Sequence, residues 1–146
     1  MSKFEVYLQH DSMDCGVVCL YMICQQYSLN YSLDRIKSVC KATKEGVSMR
    51  TLHEAAQKCG FHTIAKKIEL SNLKYNKLPC ILFWNQNHFV ILYKVKKGKT
   101  FYIADPAKGL VKYNLEEFKK HWVSTQSDGE EKGIAMFLEP TPAFYE

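Results

Sequence analysis

The sequence predicts an α+β domain, with helices first and an antiparallel sheet afterwards. Up to Gly60 the apolar residues recur at helical spacing, between residues that start and stop helices. From Phe61 onward they form short alternating or continuous runs, as strands do. Lys96-Lys97-Gly98-Lys99 separates two of these runs as a hairpin turn would. A chain of 146 residues suits one domain, and its 47 % apolar and 13 % aromatic content can fill one core.

The elements follow in order. Asp14 is placed to cap a first helix that continues from Val17 to about Tyr27. Positions 15, 18, 19, 22 and 23 share a face, and 17, 20, 21 and 24 are apolar too, so this helix is expected to be enclosed on most sides. Ser32 starts a second helix through Cys40, and Ser48 a third from Met49 to Cys59, with Gly60 as its stop. Strands are expected at Phe61–Leu70, Pro79–Trp84, His88–Val95, Thr100–Ala104 and Leu110–Tyr113. Asn114-Leu115-Glu116-Glu117 has the form of a capping box for a helix through Trp122, and Ile134–Leu138 is expected to close the sheet.

Composition excludes several classes. The net charge of +5 is modest, and its lysines cluster beside turns, where they read as solvated loops and helix faces. Nucleic-acid binding wants a denser basic stripe with exposed aromatics, so no nucleic-acid partner is expected; an acidic membrane surface stays open. The six Cys form no Cys-x-x-Cys pair, and no His pair has zinc-finger spacing, so no metal site is expected. Cys19, Cys24, Cys40, Cys59 and Cys80 read as small buried hydrophobes with free thiols, which suits a reducing compartment. No apolar run approaches the roughly 20 residues that span a bilayer, and no signal-peptide pattern follows Lys3 and Glu5.

Four residues form a candidate acyl-transfer site. Cys15 stands at a helix start, where unpaired N–H groups and the positive end of the dipole favour thiolate. Asp14 opposes this if its charge faces the sulfur and supports it if it turns back to cap the helix. Gly16 is expected to leave the approach to the sulfur open. His88 follows Asn85-Gln86-Asn87 and opens an apolar run, so it sits where a loop enters a buried strand, placed for general acid–base work. The other reading is a strand His bonded to backbone. Through the 96–99 hairpin, Asp105 falls near the level of His88 or slightly before it, able to fix its tautomer; Asp105-Pro106 also reads simply as a turn. Gln9 can aim an amide N–H at a developing oxyanion, a contribution of about 3 kcal/mol, or be an ordinary surface Gln.

Gln9, Asp11, Asp14-Cys15-Gly16, Asn87-His88-Phe89 and Asp105-Pro106, in this order and spacing, resemble the double-glycine leader peptidases. These are the bacteriocin-processing cysteine peptidase domains of certain bacterial ABC exporters. The resemblance covers nearly the whole chain, including Leu78-Pro79 and the terminal Glu139-Pro140-Thr141-Pro142. It implies a papain-like fold, with Cys15 as nucleophile, His88 as base and acid, Asp105 as orienter and Gln9 as oxyanion donor. It implies cleavage after a Gly-Gly pair ending a leader peptide, on the cytoplasmic side of the membrane and coupled to export. The domain itself would be soluble and need no cofactor, with ATP bound only in a nucleotide-binding domain outside this chain. Its partners would be the leader peptide and the transmembrane and nucleotide-binding domains of the parent exporter. Residues 1–139 would form the peptidase domain and 140–146 a linker toward a transmembrane domain. Val17-Val18 and Gln25-Gln26-Tyr27-Ser28 depart from the commonest family pattern, which bears on cleft shape and substrate preference. Two other functions are a relative that holds the leader without cutting it, which would typically lack the Cys, and a different papain-like acyl transfer, which product masses would reveal.

Overall fold

A computed structural model describes residues 4–11, 13–41, 46–127 and 129–141. Three helices, α1 (Cys15–Gln26), α2 (Leu33–Cys40) and α3 (Met49–Lys58), precede β1 (Phe61–Glu69) and a 3-10 turn at Leu70–Tyr75. Then come β2 (Cys80–Trp84), β3 (His88–Lys96), β4 (Thr100–Asp105), β5 (Gly109–Asn114), α4 (Leu115–Trp122), β6 (Thr125–Ser127) and β7 (Glu130–Pro140). The sheet is antiparallel throughout, in the order β1-β7-β2-β3-β4-β5, with β6 paired to β7.

Local signals produce most of these elements. Ser32 and Ser48 each accept the amide three residues on, both at 3.1 Å, and so cap α2 and α3. Asn114 and Glu117 bond reciprocally at 2.9 and 3.0 Å and start α4. Gly60 takes φ +102° just past the end of α3, where a side chain would be strained. Helix α1 is buried along Cys15–Leu20 and at Met22–Cys24, so it is enclosed on most sides.

The sheet is covered on both faces. Phe89, Ile91, Ile81 and Met136 pack toward α1–α3, while Val90, Leu92, Leu82 and Trp84 pack toward α4 with Phe118 and Trp122. Burial on both sides explains why β2 and β3 read as continuous apolar runs rather than alternating ones.

The last strand differs from expectation. It extends beyond 134–138 to cover Glu130–Pro140, and it runs in the interior of the sheet, between β1 and β2. Gly133 lets it pass beneath Trp122, whose indole donates to the Ile134 carbonyl at 3.1 Å. Glu139, the last residue of the expected domain, and Pro140, the first of the expected linker, lie in this strand opposite His62 and Phe61. Thr141 then bonds the Gly60 carbonyl through its N–H at 3.0 Å and its hydroxyl at 2.6 Å. The remainder of that segment, 142–146, lies outside the described residues.

Candidate active site

The N-terminal segment runs along α1 before entering it. Phe4 stacks on Tyr93 at 5.1 Å, Tyr7 meets Tyr21 edge-on at 5.1 Å, and the Gln9 N–H donates to the Pro106 carbonyl at 2.8 Å. A turn follows: Asp11 accepts the Met13 amide on its carboxylate at 2.9 Å and the Asp14 amide on its carbonyl at 3.0 Å. This turn delivers Cys15 as the first residue of α1, 8 % exposed. The Asp14 carbonyl accepts from Val18 as the first bond of the ladder, so the amides of Cys15, Gly16 and Val17 form the positive end of the helix.

Asp14 occupies the cap position but makes no side-chain cap. Its backbone, at φ −90° and ψ 2°, is not the extended form from which a cap side chain reaches back over the first turn. The carboxylate turns instead to Lys37 on α2, 3.4 Å away. That ammonium offsets a negative charge that would otherwise stand beside the sulfur. No sequence pattern links positions so far apart, so Lys37 escaped the reading of the sequence.

Gly16 has a different role from an open approach. A Cβ there would lie 2.6 Å from Val47 Cγ2 and 3.2 Å from Phe89 Cδ2. The missing side chain therefore lets the first turn of α1 settle onto the residue that follows His88. Close packing at Gly16 is what brings the helix start and the strand start together.

His88 enters from a tight turn in which Asn85 and Gln86 have φ +53° and +64°. Its side chain is 18 % exposed, and Nε2 lies 2.7 Å from Asp105 Oδ1. With Nε2 committed to the carboxylate, Nδ1 is the nitrogen left for the Cys15 thiol, whose interaction with the ring favours its charged form. Burial opposes the imidazolium, but the hydrogen bonds and charges of Asp105 and Cys15 outweigh it and raise His88 to about 9. Asp105 is 2 % exposed. Burial raises its carboxyl, yet the bonds from His88 and the Ala107 amide hold it below the ordinary value. Asp105 Oδ1 accepts the Ala107 N–H at 2.8 Å, so the Asp-Pro turn and the carboxylate partner are both present.

A β-bulge makes the pairing with His88 possible. Val95 lies opposite Phe101 and Lys94 opposite Tyr102, but Leu92 lies opposite Ile103 and Ile91 opposite Ala104, so Tyr93 is an extra residue. Continuing that register sets Asp105 opposite Val90, on the face shared by His88. Without the extra residue Asp105 would fall opposite Ile91, on the other face. The spacing of the hairpin alone could not reveal this.

Gln9 joins the group through its backbone bond to Pro106, adjacent to Asp105. Its side-chain Oε1 is buried and has no hydrogen-bond partner among the described residues. The structure thus joins His88 directly to Asp105, sets the Cys15 thiol close enough to act on the imidazole, and ties the Gln9 backbone to their edge. A thiol, an imidazole and a carboxylate in this order can form a thiolate–imidazolium pair and shuttle a proton.

Burial raises the thiols of Cys19, Cys40 and Cys80. Burial, with the charges of Cys15 and Asp105, keeps Cys19 a neutral thiol one turn below Cys15. Burial pushes Cys40 up to about 12, with Cys59 adding to it, and raises Cys80 as well. All six are free and buried. Among the described residues no cluster of His, Cys, Asp and Glu is arranged to hold a metal ion.

The family model for the Peptidase C39 family matches residues 3–126. The colicin V secretion/processing ATP-binding protein CvaB of Escherichia coli is 32 % identical over 97 % of this chain, which covers 19 % of that protein. The lactococcin-G-processing and transport ATP-binding protein LagD of Lactococcus lactis subsp. lactis is 29 % identical over 93 % of this chain, again 19 % of its own length. The chain thus spans about a fifth of the length of these relatives. Among solved structures, a double glycine motif protease from an AMS/PCAT transporter, in complex with the leader peptide, superposes with a TM-score of 0.82 at 34 % identity, covering 95 % of this chain and 93 % of that one. The peptidase domain of Streptococcus ComA shares the fold, with a TM-score of 0.78 at 24 % identity over 95 % of this chain and all of that one. The α+β layout is therefore the papain-like one of these domains. The chain belongs to the Peptidase C39 family and is a cysteine peptidase.

Proposed function

We propose that this chain cuts after the Gly-Gly pair that ends a leader peptide, on precursors of bacteriocin or signalling peptides, as the peptidase part of an ATP-driven exporter. The observation that carries the reading is His88, held by Asp105 at 2.7 Å on one nitrogen and raised by both Asp105 and the Cys15 thiol. In this mechanism the Cys15 thiolate attacks the carbonyl carbon of the second glycine. The resulting oxyanion is met by the Gln9 amide and the N–H at the start of α1. The C–N bond breaks as His88 gives its proton to the leaving amine, leaving a thioester on Cys15. Water, deprotonated by His88, then hydrolyses the thioester and restores the thiolate. Asp105 keeps the ring oriented throughout.

A channel too narrow for side chains would pass only glycine beside the scissile bond. Two glycines supply little binding energy, so affinity must come from a remote part of the leader, a helix docked by its apolar face. The relatives' names, which join processing to secretion or transport and to ATP binding, support the exporter setting. In this reading the domain works on the cytoplasmic side of the membrane, with ATP bound in a separate nucleotide-binding domain. In this chain, no helix among the described residues is long and apolar enough to cross a membrane.

The test is a synthetic precursor with an amphipathic leader, Gly-Gly and a short cargo, followed by mass spectrometry. We expect two products, divided after the second glycine. Cys15→Ala and His88→Ala should yield none while keeping the wild-type circular dichroism spectrum. Cleavage by Cys15→Ala, or a side-chain amide altered in place of a cut, would defeat the reading. Binding of the precursor without product would favour a leader-holding module.

A further inference from the structure

Outside the cluster just described, one histidine is engaged with the turn that delivers His88. His121, the penultimate residue of α4, donates from Nδ1 to Asn85 Oδ1 at 2.8 Å, and its carbonyl accepts the Asn85 N–H, also at 2.8 Å. Asn85 and Gln86 have positive φ, a conformation that costs a non-glycine residue on the order of 1 kcal/mol or more and persists where the surroundings impose it. The Asn87 N–H closes the turn on the Trp84 carbonyl at 3.2 Å, and Trp84 lies directly opposite His88. The His121 ring stacks on Trp84 at 4.9 Å and 12° and stands 5.2 Å from Tyr113. The end of α4 thus grips both the turn and the residue across from His88.

We infer that His121 is a positioning residue for the proposed cleavage: its Nδ1–H bond to Asn85 fixes the 85–87 turn and with it the bearing of the His88 ring between Asp105 and Cys15. This rests on the function proposed above for His88. The charges around His121 suit the role. Burial and the charges of Lys108 and Lys120 hold it below the ordinary imidazole value, against Glu117 and Asp105, so near neutral pH it carries one ring proton, committed to Asn85.

Two substitutions separate the hydrogen bond from the stacking. His121→Asn keeps a donor at the same place on the side chain and gives up the ring; His121→Phe keeps a ring on Trp84 and Tyr113 and removes the donor. Two readouts apply: kcat and KM on the Gly-Gly precursor, and the His88 titration followed by NMR of its labelled ring, which needs no substrate. A small misplacement of a reacting group can cost up to about a hundredfold, so we expect His121→Phe to lose roughly tenfold in kcat with KM held within about twofold. Its His88 midpoint should fall from about 9 toward 6.5, its melting temperature staying near that of the parent. His121→Asn should keep kcat within about threefold and leave the His88 midpoint in place. The inference is overturned if His121→Phe retains both kcat and the midpoint. Parallel losses in both variants that track melting temperature would also overturn it, as a purely structural role. If the parent protein cuts no Gly-Gly precursor, the proposed function falls instead, and the His88 titration alone decides whether His121 sets the ring.

Discussion

Replacing Asp105 with Asn removes the charge that faces His88 Nε2 while keeping the side chain's shape. The ring stands at about 9 against an ordinary 6.5, a difference worth about 3 kcal/mol at about 1.4 kcal/mol per unit. Asp105 and Cys15 share that stabilisation. Suppose the carboxylate carried all of it. At pH 8 about nine-tenths of His88 is protonated in the parent, but only about 3 % would be in Asp105→Asn, a loss of about 30-fold in imidazolium. At pH 6 the same comparison gives a loss of less than about twofold. The expected result is therefore a kcat/KM profile whose alkaline limb moves from about pH 9 toward neutrality, with near-parent activity on the acid side. The assay is the initial rate of precursor cleavage from pH 5.5 to 9.5, with product quantified by chromatography. An alkaline limb that stays near pH 9 in Asp105→Asn would refute the argument, because the proton on His88 would then be held by something else.

Further outcomes follow from the same geometry. Asp105→Asn should impair cleavage less than Cys15→Ala or His88→Ala at every pH, since it orients rather than reacts. His88 is raised above its unfolded value, so its pairing with Asp105 stabilises the fold fully below about pH 6.5 and is lost as pH rises through about 9. Asp105 is lowered, so the same pairing is lost again as pH falls through its depressed value; urea midpoints across pH should show both declines, and Asp105→Asn should flatten both. Gly16→Ala should destabilise by roughly 1–3 kcal/mol, as overpacked sites do, and should depress cleavage because α1 must lift away from Phe89; an unchanged urea midpoint would contradict the packing account. Asn114→Ala should cost about 1 kcal/mol in the same assay by removing the capping box, with KM and kcat unaffected.

The parts legible in the sequence are those written locally. Ser32, Ser48 and the Asn114–Glu117 box act over three residues, and the structure has them as the sequence suggests. The helices-then-sheet order followed from a change of period, and His88 from its place between a polar turn and an apolar run. What escaped depends on distance or on count. Asp14 looked like a cap because its neighbours in sequence allow it, but Lys37 and the entering turn decide its direction. Gly16 looked like an opening because sequence cannot show Val47 and Phe89 closing over it. The bulge at Tyr93 adds a single residue with no compositional mark, yet it decides which face Asp105 occupies. The place of β7 between β1 and β2 is likewise a long-range pairing that no local pattern encodes.

That place of β7 has a consequence for how the molecule is made. Synthesis proceeds from the N-terminus, so α1, α2, α3 and β1 exist long before the strand that β1 pairs with. Until Glu130–Pro140 arrives, β1 and β2 present bare edges to one another, and a nascent chain halted before that point exposes two sticky ribbons. Cys15, His88 and Asp105 are all synthesised by then. Final assembly of the sheet that carries two of them waits on the closing strand, so a truncated product should be recognised by quality control before it can act as a stray protease.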